Sequence, residues 1–135
     1  MRRNSIQYSK LRHKAKQLIA LFNEVRGKTI LVEGKRDKKA LENCGVDARI
    51  VLINRSPDSV SESLSGLEEA VLLTDFDDYG EELCGRMAES LQAFNVKPNT
   101  AYRKKLRYLL GVRCFEELDT RLDEFTEKLV ENKVI

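Results

Sequence analysis

Val71-Leu72-Leu73-Thr74-Asp75-Phe76-Asp77-Asp78 passes from an unbroken apolar run straight into a cluster of acids. Ile30-Leu31-Val32-Glu33-Gly34-Lys35-Arg36-Asp37, earlier in the chain, does the same. Neither apolar run alternates with polar residues, so each reads as a strand covered on both faces, the habit of parallel sheets. A polar, helix-like stretch follows each run. Strand and helix in alternation predict an α/β fold with a mainly parallel sheet. In open sheets of this kind ligands bind beyond the carboxyl ends of the strands, where strand order reverses. Glu33, Asp75 and Asp77 stand at two such ends.

The rest of the chain fits around these two strands. Leu11, Ala15, Leu18, Phe22 and Val25 recur at spacings of four and three, predicting a helix over about 8–26 that stops at Gly27. After Glu33 a helix is expected over about 36–43, closed by Gly45, and then a strand over 49–53. Pro57 suits the start of a short helix ending near Gly66. The third strand is read as 70–74, and Leu83, Met87, Leu91 and Phe94 mark a helix over about 80–94. Asn95-Val96-Lys97 reads as a short edge strand stopped by Pro98. Asn99-Thr100 caps a basic helix over 101–110, which Gly111 ends, and Leu118, Leu122, Phe125 and Leu129 place a last helix over about 116–132. A single domain over 1–135 is expected, with a sheet core over about 28–98 and added helices at each end.

With 135 residues, 41% hydrophobic and 34% charged, the chain can bury a core and is expected to be soluble and cytoplasmic. No apolar stretch approaches the ~20 residues of a membrane span, so no membrane partner is expected. Cys44, Cys84 and Cys114 are widely spaced, and His13 is the single histidine. Zinc is therefore a poor match, and a metal here would be oxygen-ligated, which means Mg2+ or Mn2+. The net charge of +2 is unevenly spread. Residues 1–28 hold eight Lys/Arg against one acid (+7), residues 29–100 eight against fourteen (−6), and residues 101–135 eight against seven (+1).

If the first and third strands are neighbours, Glu33 and Asp75 lie across a spacing of ~4.8 Å, within reach of one divalent cation. Asp75 and Asp77, two apart in an extended segment, can point the same way. Three such carboxylates repel one another. A cation relieves that repulsion and supplies what phosphodiester chemistry needs. Asp37 and Asp78 read as a first-turn acid and a helix cap.

Val32-Glu33-Gly34-Lys35-Arg36-Asp37 and Leu72-Leu73-Thr74-Asp75-Phe76-Asp77 resemble the two signature motifs of the Toprim domain. That domain is shared by primases, topoisomerases and the ribonucleases that mature 5S ribosomal RNA. The chain as a whole is similar to the small stand-alone archaeal Toprim proteins. The resemblance implies a Toprim-like, Rossmann-like three-layer sandwich with a mostly parallel four-stranded sheet. It implies Glu33 as general acid or base, Asp75 and Asp77 as magnesium ligands with Glu33 as a further donor, and Gly34 as the glycine that turns the backbone. Many Toprim proteins carry Thr-x-Gly after the second strand, where this chain reads Ile53-Asn54-Arg55-Ser56. No tyrosine-bearing cleavage module or zinc module accompanies the motifs, so a topoisomerase or a complete primase is not expected.

Two basic elements are candidate nucleic-acid surfaces. One is the first helix, with Arg2, Arg3, Lys10, Arg12, Lys14 and Lys16; the other carries Arg103, Lys104, Lys105 and Arg107 between Tyr102 and Tyr108. Basic residues interleaved with aromatics suit single-stranded or structured RNA. Lys35, Arg36 and Arg55, beside the strand ends, are further candidates for phosphate contact. Magnesium-dependent phosphodiester processing, with RNA favoured over DNA, is the leading expectation. The alternative is a non-catalytic, metal-assisted RNA-binding module in a larger RNA-processing or ribosome-associated assembly, where a protein partner supplies specificity. A purely structural protein is the third reading.

Overall fold

A computed structural model describes residues 2–135, excluding the side chains of Arg2, Arg3 and Asn4. The elements in order are α1 (Arg2–Glu24), β1 (Thr29–Val32), α2 (Lys35–Asn43), β2 (Arg49–Leu52), α3 (Pro57–Ser63), β3 (Glu69–Leu72), α4 (Asp78–Ala93), β4 (Lys97–Asn99), α5 (Ala101–Leu110) and α6 (Leu118–Glu131). A 3-10 turn at Phe115–Glu117 leads into α6. The four strands form one sheet in the order β2-β1-β3-β4, every pair parallel.

The sheet is covered on both faces, as the unbroken apolar strands require. Ile30 and Val32 of β1, with Val71 and Leu73 in and beyond β3, point to one side and meet α1, α2, α5 and α6. Leu31, Ala70 and Leu72 point to the other and meet α3 and α4. The result is a Rossmann-like three-layer sandwich. Gly27, Gly45, Gly66 and Gly111 end helices as expected, each at a positive φ that side-chain-bearing residues rarely adopt. No helix among the described residues is long and apolar enough to cross a membrane.

Three boundaries differ from expectation. α1 begins at Arg2 instead of near Tyr8. No helix breaker separates the two, and an established helix adds a bond for each residue fixed. β4 lies two residues later than expected and contains Pro98. Glu69 pairs with Lys97 and Val71 with Asn99, so the missing N–H of Pro98 faces away from β3 on an edge strand. β3 stops at Leu72, two residues short of expectation. The Leu73 amide still donates to the Leu31 carbonyl at 2.9 Å, but beyond it the backbone finds other partners.

The strand order places a switch point between β1 and β3. From β1 the chain passes into α2 on one face; from β3 it passes into α4 on the other. The two exits diverge and leave a crevice at the carboxyl ends of these strands. Met87, fully buried on the α4 face, lies in the cluster away from α5 and α6. Met87→Ala should lower unfolding free energy by about 2–5 kcal/mol in denaturant titration. It should leave the geometry at the strand ends intact.

Candidate active site

The loop from Thr74 to Gly80 is held by several hydrogen bonds, most of them at Thr74, Asp75 and Phe76. The Asp75 amide donates to Glu33 Oε2 at 2.6 Å, so the Glu33 side chain continues the β1–β3 ladder past its last backbone bond. The Phe76 amide donates to the Arg113 carbonyl at 2.9 Å. Asp75 Oδ1 accepts from the Phe115 amide at 2.8 Å, which docks the segment after α5 on the aspartate. Thr74, fully buried, donates through Oγ1 to the Gly80 carbonyl at 2.8 Å. Asp77 Oδ1 accepts from the Gly80 amide at 2.7 Å and caps α4. Asp77, not Asp78, is therefore the cap; Asp78 is the first helical residue.

Arg103 holds this loop from beneath. Its side chain is 5% exposed. Nε donates to the Thr74 carbonyl at 2.7 Å, and Nη2 to the Asp75 carbonyl at 2.5 Å and to Glu81 Oε1 at 2.6 Å. The guanidinium also lies 4.0 Å from the centre of the Phe76 ring. Against the expectation that Arg103 contacts nucleic acid, its Nε and Nη2 donate inside the protein and its side chain is buried, which makes it a clamp on this loop. The signal was in the sequence, since Arg103 shares a helical face with Leu106 and Leu110.

The other expected residues divide into those near the acids and those elsewhere. Lys35 and Arg36, both exposed, open α2 directly after Gly34, and Arg36 Nη1 lies 3.9 Å from Glu116 Oε2. Arg107 is exposed, with its guanidinium 4.7 Å from the centre of the Phe76 ring, between the two aspartates in sequence. Arg55 lies along α3, donating to Ser59 at 3.2 Å and Ser63 at 3.4 Å. Lys104 is exposed on α5; Arg12 and Lys16 are exposed on α1, which packs against α5 and α6. The side chains of Arg2 and Arg3 lie outside the described residues. Gly34 adopts φ −151° and ψ 179°, extended backbone open to any residue, and a Cβ there would meet nothing within 4 Å. The chain bends at Glu33 and Gly34 between β1 and α2 as expected, but without a conformation that requires glycine, and Gly34 leaves open space beside Glu33.

The glycine the site does require is Gly80, which the sequence reading passed over. A Cβ at Gly80 would stand 2.1 Å from the Asp75 carbonyl oxygen and 2.9 Å from its nitrogen. No rotation of a flexible neighbour can relieve a clash with backbone. Glu116 was also missed. It stands in the docked segment after α5, and its charge acts on both Asp75 and Asp37.

The electrostatics follow from partial burial. Desolvation first, then the charges of Asp75, Asp77 and Asp37, raise the Glu33 pKa above the ordinary carboxylate value, against the pull of the Asp75 amide. Asp75 is raised by burial and by Asp77 and Glu116, although the Phe115 amide and Arg103 oppose this. Asp37, buried with Oδ2 accepting from the Gly34 amide at 2.9 Å, is raised by burial and by Asp75.

Among the described residues no three His, Cys, Asp or Glu side chains are grouped closely enough to hold a metal ion. Asp77 is turned to its cap, while Glu33 and Asp75 are joined through the Asp75 amide. The donors still match Mg2+ in kind. They are hard carboxylate oxygens, the hydrogen bonds use one oxygen of Glu33 and one of Asp75, and their mutual repulsion favours a cation. Mg2+ keeps several waters and is commonly held by one or two carboxylates plus substrate phosphates, so a full protein cage is not needed.

Two outcomes test this geometry. Gly80→Ala should destabilise the fold by about 3 kcal/mol, the upper part of the overpacking range, measured by denaturant unfolding. Its largest amide shifts in NMR should fall on residues 74–77. The raised carboxylates make the native state bind protons more tightly than the unfolded chain. Their contribution is fully present below the ordinary carboxylate range and is lost as pH rises through the raised values. Glu33→Gln keeps an acceptor for the Asp75 amide and removes one charge. In metal-free buffer it should melt higher than wild type at neutral pH, with the gap closing near pH ~4. A gap that is constant with pH would contradict the assigned repulsion.

No family model matches the chain. The curated relatives are archaeal. The UPF0292 protein of Thermococcus kodakarensis is 35% identical over 121 residues, 85% of this chain and 90% of that protein. The UPF0292 protein of Methanosarcina acetivorans is 33% identical over 127 residues, 90% of this chain and 88% of that one. A solved structure of an Aquifex aeolicus protein superposes with a TM-score of 0.63 at 28% identity, covering 74% of this chain and 96% of that one. With relatives of this identity matched over nearly their full length, the chain belongs to the UPF0292 family.

Proposed function

We propose that the chain is a Toprim-type protein that processes phosphodiester bonds in nucleic acid with the help of Mg2+, acting on RNA in preference to DNA. The observation that carries this reading is the joined pair Glu33 and Asp75. Two partly buried carboxylates of raised proton affinity sit at the ends of adjacent parallel strands, at the switch point of the sheet. The motif resemblance around both residues supports the same reading.

Asp75 and Asp77 would hold the cation, with Glu33 as a further donor; Mn2+ suits the same oxygens. When bound, the cation supplies neutralisation of phosphate oxygen charge and polarisation of the scissile bond. Glu33 acts as the acid or base. Its Oε2 is fixed by the Asp75 amide, so Oε1 takes or gives the proton, and burial brings its pKa closer to neutral pH. Lys35 and Arg36, exposed at the start of α2 just after Glu33, offer positive charge for the flanking phosphates. Open space at Gly34 lets a substrate backbone approach the end of β1.

A second reading is metal-assisted RNA binding without turnover, within an RNA-processing or ribosome-associated assembly. The engagement of Asp77 as a helix cap favours it, because that carboxylate must leave Gly80 before it can contribute both oxygens to a cation.

Labelled RNA and DNA incubated with wild type and Glu33→Gln, in Mg2+ or in EDTA, separate these readings. We expect RNA cleavage that needs Mg2+ and falls by about 100-fold or more in Glu33→Gln. The variant should keep its circular dichroism spectrum. Equal rates in the two proteins would sink the role given to Glu33. Mg2+-dependent binding without cleavage in wild type would select the second reading.

A further inference from the structure

We propose that the groove between α1 and α5 is a base-stacking site for a single-stranded stretch of nucleic acid, with Tyr108 as the platform and Lys10 and Lys14 as phosphate partners. The groove has a volume of about 660 Å³ and is lined by Ile6, Lys10, Leu11, His13, Lys14 and Tyr108. The choice of ligand rests on the nucleic-acid reading above, but not on catalysis.

Tyr108 is the first reason. α5 turns Tyr102, Arg103, Leu106 and Leu109 inward, and Tyr108 is left 65% exposed. The ring is outside both core clusters, so packing does not account for it. Lys14 Nζ lies 5.1 Å from the ring centre, yet most of the ring remains open. Ile6, 62% exposed, lines the same groove.

Charge is the second. None of the described residues lining the groove is acidic, while Lys10 and Lys14 both are basic. A flat aromatic ring beside ammonium groups matches the two features of a single strand, a base face that stacks and a phosphate that pairs. An acidic peptide would satisfy the lysines but has no comparable use for an open ring face. Anionic lipid likewise calls for charge and aliphatic surface more than for a stacking platform.

Position is the third. Arg107 reaches Phe76 beside the acids, and Tyr108, the next residue of α5, lines the groove. One helix therefore holds the acidic loop through Arg103 and presents a ring to the groove. A strand held at Tyr108 is anchored on the helix that clamps the acidic loop.

The test is fluorescence anisotropy with a short labelled single-stranded RNA in EDTA, so that binding is read without cleavage. Tyr108→Ala should weaken binding about tenfold, the effect of one lost base stack. Tyr108→Phe should bind as wild type, since stacking needs the ring and not the hydroxyl. Lys10→Ala with Lys14→Ala should weaken binding and flatten its dependence on salt. Glu89→Gln, exposed on α4 across the sheet, should leave binding unchanged, and a failed cleavage assay with intact Tyr108-dependent binding counts against the catalytic reading alone. The inference is overturned if single-stranded RNA does not bind, if Tyr108→Ala binds like wild type, or if Tyr108→Phe is as weak as Tyr108→Ala. It is equally overturned if a glutamate-rich peptide or phosphatidylserine vesicles bind more tightly than RNA and with the same dependence on Tyr108.

Discussion

The buried guanidinium of Arg103 is the constraint around which the strand ends are organised. A charge placed inside a protein is tolerated only when its donors are fully engaged. Here the donors go to the Thr74 and Asp75 carbonyls and to Glu81, and the flat face of the group rests on Phe76. β3 has ended, so these carbonyls have no ladder partner. Arg103 supplies one, and in doing so ties α5 to the loop that leads into α4. Lysine has one compact donor head and could not span both carbonyls and the ring together.

That clamp explains why the loop can be both irregular and rigid. The backbone from Leu73 to Phe76 is held by groups distant in sequence, the Leu31 carbonyl, Glu33, Arg103 and the Arg113 carbonyl, and the Phe115 amide holds the Asp75 side chain. Gly80 then closes the loop, because only a residue without a side chain can lie against the Asp75 backbone. Residues set by several partners at once hold their side chains in one place, which is what a reacting or ligand-holding site requires.

Much of this was legible in the sequence, and the parts that were not share a cause. The strands were readable because apolar runs with no alternation have few other uses in a chain this short. Helix ends were readable because Gly27, Gly45, Gly66 and Gly111 supply the left-handed backbone that stops a helix. The neighbouring of Glu33 and Asp75 was conditional on β1 and β3 being adjacent, and the order β2-β1-β3-β4 supplies that condition. What escaped was long-range. Nothing local says that the segment around Phe115 returns to bind Asp75, or that Arg103 differs from Lys104 and Arg107 beside it, except the helical face it occupies. The exchange of Asp77 for Asp78 as the cap is a shift of one residue, and sequence fixes helix starts no more finely than that.

The disposition of charge is the feature that links this architecture to chemistry. Arg103 is close enough to Asp75 to lower its proton affinity, yet it ranks behind burial and the neighbouring acids as an influence. Its N–H groups point at carbonyls rather than at the carboxylates. The fold thus uses the buried Arg103 to hold backbone in place and leaves Glu33, Asp37 and Asp75 raised and mutually repelling. Amides in place of these acids would remove the repulsion. The negative potential retained at the strand ends is the physical ground on which the proposed cation and phosphate chemistry rests.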